Sequence, residues 1–483
     1  MPSVFIKTYG CQMNERDSEA VAAQLMVKGY ALTHDEASAD VVLLNTCSVR
    51  DLAEQKAIWK MSSLIGEGKK RRPGQIYGFM GCMAQSRGRQ LIDQLPDVDL
   101  VVGTQKFHRI GNYLDELLSG REKSVVDIGE EAGSQGAIKE HLLHGKTGGL
   151  AVTAFVSIMQ GCNQHCTFCI VPFTRGEERS RTIPDIVAEC QELVARGVRE
   201  VTLLGQIVTS FGKRDYPTLE GRGPFVQLIE AVHEIDGLER IRFTSPHPKG
   251  YGEDLVAAYG RLPKLVENAH LPVQSGSNRL LKAMHRGYTR ERYLEIIRKL
   301  RDVRPNIGLS TDLIVGFPGE TDEDFQDTLS LCDDVRFDMV YLFKYSPRKD
   351  TPAAAMDRQV PESLIEERHR ILLDRINAIG REKYETFVGR TVQILVEGTS
   401  RKNASRMEGR TACNKIVVFP GSPRHRGELM DVRIERVGTF TLYGDPAILN
   451  VAGEEFGFRG DTLNSVTASE AILTTSPSGG HLG

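Results

Sequence analysis

The chain has 483 residues, about three times a typical domain, so several compact units are expected. With 40% apolar and 26% charged residues it is not a disordered or fibrous chain, and a formal net charge of −3 leaves any nucleic-acid contact to local charge. No run approaches the roughly 18 apolar residues of a membrane helix, and the opening MPSVFIKTYGCQMNERDSE lacks the regions of a signal peptide, so a soluble, cytoplasmic, membrane-free protein is expected.

Residues 1–122 alternate short apolar runs with helical patterns: VFIKTYG, a helix over Ser18 to Lys28, DVVLLNT, a helix over Leu52 to Ile65, then QIYGFMG. This alternation predicts a small parallel α/β domain. The basic run Lys69 to Arg72 falls between a helix and a strand and reads as a solvated loop. Residues 123–148, rich in Gly, Ser and charge, read as a linker. Residues 149–380 alternate again, with strands at VTAFVSI, EVTLLG, RIRFTS, AHLPV, LSTDLIVG and MVYLFKYS. Helices are expected from near Pro184, Pro224, Glu253, Asn278, Asp322 and Glu362. Six such repeats predict a partial (β/α)6 barrel of the TIM type, with chemistry at the carboxyl ends of its strands. Residues 383–447 change to short strands broken by Gly and Asn, the pattern of a small antiparallel β-barrel. That stretch holds 11 Lys and Arg against 7 Asp and Glu, which is either ordinary surface variation or an RNA grip. The tail 451–483 is rich in Ser, Thr and Gly and is expected to be disordered.

Nine cysteines in an unexported chain favour metal or cluster ligation over disulfides. Cys162, Cys166 and Cys169 follow the first strand of the central unit with Cys-x-x-x-Cys-x-x-Cys spacing. Thiolates suit an iron–sulfur cube, which normally takes four, so three leave one iron open to a small molecule. A zinc knuckle with His165 is the bland alternative. Cys11, Cys47 and Cys82 lie 36 and 35 positions apart, each just past a predicted strand. In a parallel sheet those ends share one edge, and the three are either a second cluster site or buried packing residues. Cys190, Cys332 and Cys413 read as packing residues, and no acid–base constellation is present to nominate.

The segments TYGCQMN, NTCSVRDLAEQK, GCMAQ, GCNQHCTFCIVPFTRGEERSR, HLPVQSGSNRLLKAMHRGYTR, TDLIVGFPGETDEDF and FKYSPRKDTPAA resemble the radical S-adenosylmethionine methylthiotransferases, on the tRNA-modifying branch. The resemblance spans residues 3–448 and implies a TRAM domain as the C-terminal barrel. It implies a transferase with two 4Fe–4S clusters: one on Cys162, Cys166 and Cys169 that cleaves S-adenosylmethionine, and an auxiliary one on Cys11, Cys47 and Cys82. The implied reaction is radical methylthiolation of carbon 2 of N6-isopentenyladenosine at tRNA position 37, with S-adenosylmethionine as methyl donor and radical source. A reducing electron donor and a sulfur source would serve a monomeric enzyme. Threonylcarbamoyladenosine in tRNA or a ribosomal protein is the alternative substrate, and an iron–sulfur or zinc RNA-binding module the non-enzymatic alternative.

Under the same resemblance Gly205, Gln206, Gln274, Ser275 and Gly316, at strand ends, would bind S-adenosylmethionine, although a glycine there is also a common turn residue. Arg175, Arg179 and Arg181 would meet phosphates or the cofactor carboxylate, or else form a salt-bridge network. Where the family usually reads GQNVNSY this chain has GQIVTSF, with Ile207, Thr209 and Phe211; activity is expected to survive because all six cluster cysteines remain.

Overall fold

The computed structural model describes residues 1–48, 51–131, 141, 151–446, 448–449 and 455–456. The first unit is built from β1 (Ser3–Tyr9), α1 (Gln12–Val27), β2 (Ala31–Leu32), β3 (Val41–Thr46), α2 (Asp51–Arg71), β4 (Ile76–Met80), α3 (Cys82–Arg87), α4 (Gln90–Gln94), β5 (Leu100–Val102), α5 (Ile110–Leu118) and β6 (Val125–Asp127). Its sheet has the order β2-β1-β3-β4-β5-β6 and every pair is parallel. Side chains alternate across β3, so Val42 and Leu44 pack against Met61 of α2 on one face while Val41 and Leu43 pack with Leu25 of α1 and Leu114 of α5 on the other. Burial on both faces is why Val41 to Leu44 read as one unbroken apolar run.

Three expectations change here. Helix α1 begins at Gln12 rather than Ser18, because Cys11 is extended (φ −97°, ψ −179°) and its amide is capped by Asn14 Oδ1 at 3.4 Å. Lys69, Lys70 and Arg71 finish α2 instead of forming a loop, and Arg72 pairs with Asp40 at 2.5 Å. The segment read as a linker opens with β6, which extends the sheet beside β5, and Glu131 just beyond accepts from Lys106 at 2.7 Å. Of residues 132–150 only His141 is described.

The second unit runs β7 (Thr153–Ser157), β8 (Met159–Gln160), α6 (Val171–Arg175), β9 (Arg179–Ser180), α7 (Ile183–Ala195), β10 (Glu200–Leu204), α8 (Pro224–His233), β11 (Arg240–Phe243), α9 (Glu253–Arg261), β12 (Asn268–His270), α10 (Asn278–Ala283), α11 (Arg290–Val303), β13 (Gly308–Val315), α12 (Asp322–Val335), β14 (Met339–Lys344) and α13 (Glu362–Glu385). Two parallel three-stranded sheets, β11-β10-β7 and β12-β13-β14, are joined by a parallel bridge between Ile241 and Leu265. The six strands thus form an arc, and among the described residues its outer strands β7 and β14 do not pair, which leaves it open. Helix α11 was not expected: His285 (φ +59°) and Gly287 (φ +70°) break the helix begun at Asn278, and the Thr289 hydroxyl then caps a new one through Arg292 N. Cys190 and Cys332 are fully buried in the core of this unit.

The last unit is a closed barrel of β15 (Thr391–Ser400), β16 (Asn403–Thr411), β17 (Ile416–Phe419), β18 (Leu429–Val437) and β19 (Thr441–Pro446), in the order β15-β16-β17-β19-β18. One pair corrects the antiparallel expectation: β19, returning from a hairpin with β18, runs parallel to β17. The barrel sits against the amino ends of the arc's strands. Lys415 bonds Asp338, just before β14, at 2.7 Å, and Arg240 at the start of β11 donates to the Arg410 carbonyl at 2.5 Å. Cys413 packs its carbonyl against Gly308 at the start of β13. Within the expected disordered tail, β21 (Glu455–Phe456) pairs with β20 (Ile448–Leu449), and the rest lies outside the described residues. No described helix is long and apolar enough to cross a membrane.

Candidate functional site

Strands β1, β3 and β4 are neighbours and parallel, so the turns after them, carrying Cys11, Cys47 and Cys82, lie on one edge of the sheet. Asn45 and Asn14 lock these turns together. Asn14 Nδ2 donates to Asn45 Oδ1 at 3.0 Å, and Asn45 Nδ2 donates to the Asn14 carbonyl at 2.9 Å. Gly81 (φ +97°) presses so close to Asn45 that a Cβ there would lie 2.2 Å from its Oδ1, so only glycine admits the turn into Cys82. A hydrogen bond from Cys47 lowers the Cys11 pKa to about 6, against burial, which raises it. Burial pushes Cys82 up, opposed by the charge of Arg175. The Arg175 Nε donates to Cys82 Sγ at 3.3 Å and its Nη2 to Asp17 Oδ2 at 2.7 Å.

The second trio lies on the loop between β8 and α6, at the carboxyl mouth of the arc. Burial raises Cys162 to about 11 and Cys169 to about 12, and the charge of Cys166 adds to both shifts. The fully buried Arg286 donates from Nη1 to Cys166 Sγ at 3.3 Å, from Nη2 to the Pro272 carbonyl at 2.9 Å and from Nε to the Tyr288 hydroxyl at 3.2 Å. His165 is exposed, and its carbonyl accepts from His285 Nδ1 at 3.0 Å. Among the described residues no three His, Cys, Asp or Glu side chains are grouped to hold a metal ion. A cube takes one thiolate at each of three iron corners, not three on a single ion. Its sulfurs are stabilised by hydrogen-bond donors, and each trio has one buried guanidinium on a sulfur, so the donor sets fit.

A cavity of about 1960 Å³ joins these features. Cys11, Cys47 and Cys169 line it with the inner faces of the arc, including Gln274, His270 and Asp312, and with Arg401 of the small barrel. Gln274 is held at φ +76° by bonds across to Asp312 and Ile314. Gln206 lies just past the end of β10, and its Oε1 is buried without a partner among the described residues. The other strand-end residues support the walls. Gly205 is packed on Met159, Ser275 bonds Thr328 at 3.3 Å, and Gly316 (φ +77°) backs onto Ile365 of α13, which a Cβ would strike at 2.4 Å.

For the arginines the salt-bridge alternative holds at two of three positions. Arg175 and Arg181 are 3% and 6% exposed; Arg181 binds Glu189 and Asp185 at 2.6 and 3.0 Å. A guanidinium so enclosed by protein carboxylates cannot reach an RNA phosphate. Arg179 donates from Nη1 to Gln105 Oε1 and the Glu131 carbonyl, with Nε and Nη2 buried and unpartnered among the described residues. Ile207, Thr209 and Phe211 are buried, Thr209 bonding the His247 amide at 3.1 Å. Sequence reading missed Asn14, Asn45, Asp17 and Arg286. The signal for the two asparagines was present, since both stand inside the motifs TYGCQMN and NTC.

A three-thiol loop at the mouth of an open parallel arc defines a class, and residues 156–332 match the Radical SAM superfamily. Residues 3–103 match the uncharacterized protein family UPF0004, and residues 385–447 the TRAM domain. The fold is similar to that of the radical S-adenosylmethionine methyltransferase TsrM from Kitasatospora setae, solved with cobalamin and a [4Fe-4S] cluster bound. The TM-score is 0.54 at 12% identity, over 73% of this chain and 74% of that one. A tRNA-2-methylthio-N(6)-dimethylallyladenosine synthase of Opitutus terrae is 54% identical over 94% of this chain and 99% of its own length. That of Methylacidiphilum infernorum is 50% identical over 93% and 96%. The chain belongs to the tRNA-2-methylthio-N(6)-dimethylallyladenosine synthase family.

Proposed function

We propose that this protein inserts a methylthio group at carbon 2 of N6-isopentenyladenosine at position 37 of tRNA, with S-adenosylmethionine as methyl donor and radical source. The shared cavity carries this reading, because residues of both trios open onto one space. Joining a hydrogen-abstracting centre to a sulfur-delivering one requires both within reach of a single substrate atom. In this reading residues 1–122 hold the auxiliary 4Fe–4S cluster on Cys11, Cys47 and Cys82, residues 149–380 hold the other on Cys162, Cys166 and Cys169, and residues 383–447 grip RNA. Bound there, the clusters and S-adenosylmethionine supply radical and sulfur chemistry that no side chain offers.

The chain's own residues position and shield. Arg286 fixes the thiol of Cys166 and stiffens the strand end at Pro272. Gln206, with its unpartnered Oε1, is available to the amino group of S-adenosylmethionine. Gln274 shapes the wall on which the cofactor or base would rest, and Arg401 at the far end of the cavity would meet tRNA phosphate. An electron donor and a sulfur source complete the system, and one chain carries all six cysteines, so a monomer suffices. The test is anaerobic incubation of the reconstituted protein with isopentenylated tRNA, a reductant and S-adenosylmethionine, followed by nucleoside analysis. The methylthiolated isopentenyl nucleoside is expected; an unchanged profile, or modification of threonylcarbamoyladenosine or a ribosomal protein instead, overturns the reading.

A further inference from the structure

Arg175 belongs to the loop region of one trio and touches the other. It ends α6, six residues after Cys169, yet its guanidinium crosses into the first unit, where Nε meets Cys82 and Nη2 meets Asp17. If it served only to glue the two units, Asp17 would take both terminal nitrogens in the usual fork. Instead Nε is given to a sulfur, and Nη1 is buried with no acceptor among the described residues. An orphaned buried donor is costly and rare in native proteins, so a missing acceptor is implied. The inorganic sulfides of a cube beside Cys82 are such acceptors, and hydrogen bonds to cluster sulfur set reduction potential.

We propose that Arg175 is a positioning residue of the auxiliary site: it donates to Cys82 and, through Nη1, to the cluster bound there, and so sets how readily that cluster is reduced. This rests on the two-cluster reading of the function. Its positive charge stabilises an added electron, and the carboxylate of Asp17 opposes it, so the two residues act with opposite sign.

The experiment uses the full chain carrying Cys162→Ala, Cys166→Ala and Cys169→Ala, reconstituted anaerobically, with the remaining cluster followed by redox titration and electron paramagnetic resonance. Arg175→Met should lower the midpoint potential by at least the 59 mV that corresponds to a tenfold change in a one-electron equilibrium. Arg175→Lys should recover part of that shift, and Asp17→Asn should raise the potential. Loss of all iron from the triple-alanine chain overturns the two-cluster reading, and this inference with it. About four irons with no shift in either variant, or shifts of the same sign in both, overturns the inference alone. If Arg175→Met fails to retain iron, Asp17→Asn decides: a raised potential supports the proposal and any other result overturns it.

Discussion

Cys162, Cys166 and Cys169 lie within eight residues on one loop, whereas Cys11, Cys47 and Cys82 meet only because β1, β3 and β4 are neighbours in a parallel sheet. The first site is a local property of the chain. The second is a property of sheet topology, held by the Asn14 and Asn45 lock and by the close seat of Gly81. Substitutions that perturb packing should therefore reach the dispersed trio first and leave the loop trio working.

The sharpest way to break this comparison is to remove each trio. Alanine at 11, 47 and 82 should halve the iron of a reconstituted chain from about eight to about four, abolish methylthiolation and leave cleavage of S-adenosylmethionine intact. Alanine at 162, 166 and 169 should remove the other half and the cleavage with it. Undiminished iron in the first variant, measured by chemical analysis, would refute the dispersed site. Next in size, Gly81→Ala drives a Cβ into Asn45 from a left-handed conformation, which costs about 1–3 kcal/mol. Iron at the dispersed trio should fall while the loop trio keeps its share, and equal losses at both would erase the distinction.

A third test concerns the far end of the cavity. Neutralising Arg401 and Lys402 on the exposed turn between β15 and β16, together with the half-buried Arg406 of β16, should weaken tRNA binding and flatten its salt dependence. The log–log slope should shrink by about 0.7–0.9 for each phosphate that no longer meets a cation. An unaltered slope would remove the small barrel from RNA recognition. Point changes serve better than deleting residues 383–483, because α13 runs to Glu385 and Tyr384 lies in the barrel core.

The units also meet at a buried cluster in which His141 bonds Glu189 of α7 at 2.7 Å and Glu19 of α1 at 3.3 Å, beside Arg16 and Arg181. Burial pulls the imidazole down, but the bonds to Glu189 and Glu19 outweigh it and hold its pKa above the ordinary 6.5. Because the folded value is the higher one, the stabilisation is full below about pH 6.5 and is lost as pH rises through the folded value. Thermal melts of His141→Gln should lack that decline, and identical pH slopes would dismiss the cluster as a clamp. The smallest effect is expected at Ile207, which is buried. Ile207→Asn should leave modification within about twofold, or lower it by burying an amide, and a gain in activity would show that the family's asparagine had a role.

Most of the strand plan was legible because parallel strands and their helices impose strong periodicity. The loop trio was legible because its spacing is local. What stayed hidden depends on contacts distant in sequence. For Arg175 and Arg181 the sequence left phosphate, cofactor carboxylate and salt-bridge roles open, because nothing in TRGEERSR reveals that Asp17 and Glu189 would enclose them. Gly316 read as a ligand approach or a turn residue, and the contact that fixes it as glycine is with Ile365, supplied by a helix some fifty positions later. The short strand β6 was obscured by the polar composition of its surroundings.

Helix α13 spans 24 residues, about 36 Å at helical rise. Glu362 and His369 near its start face the reaction cavity, while Lys383 and Tyr384 near its end are built into the docking of the small barrel. It is a single strut between the cavity wall and the small barrel. The two ends cannot drift independently, so the distance from where a tRNA would be seized to where its base would be altered is fixed like the throat of a caliper.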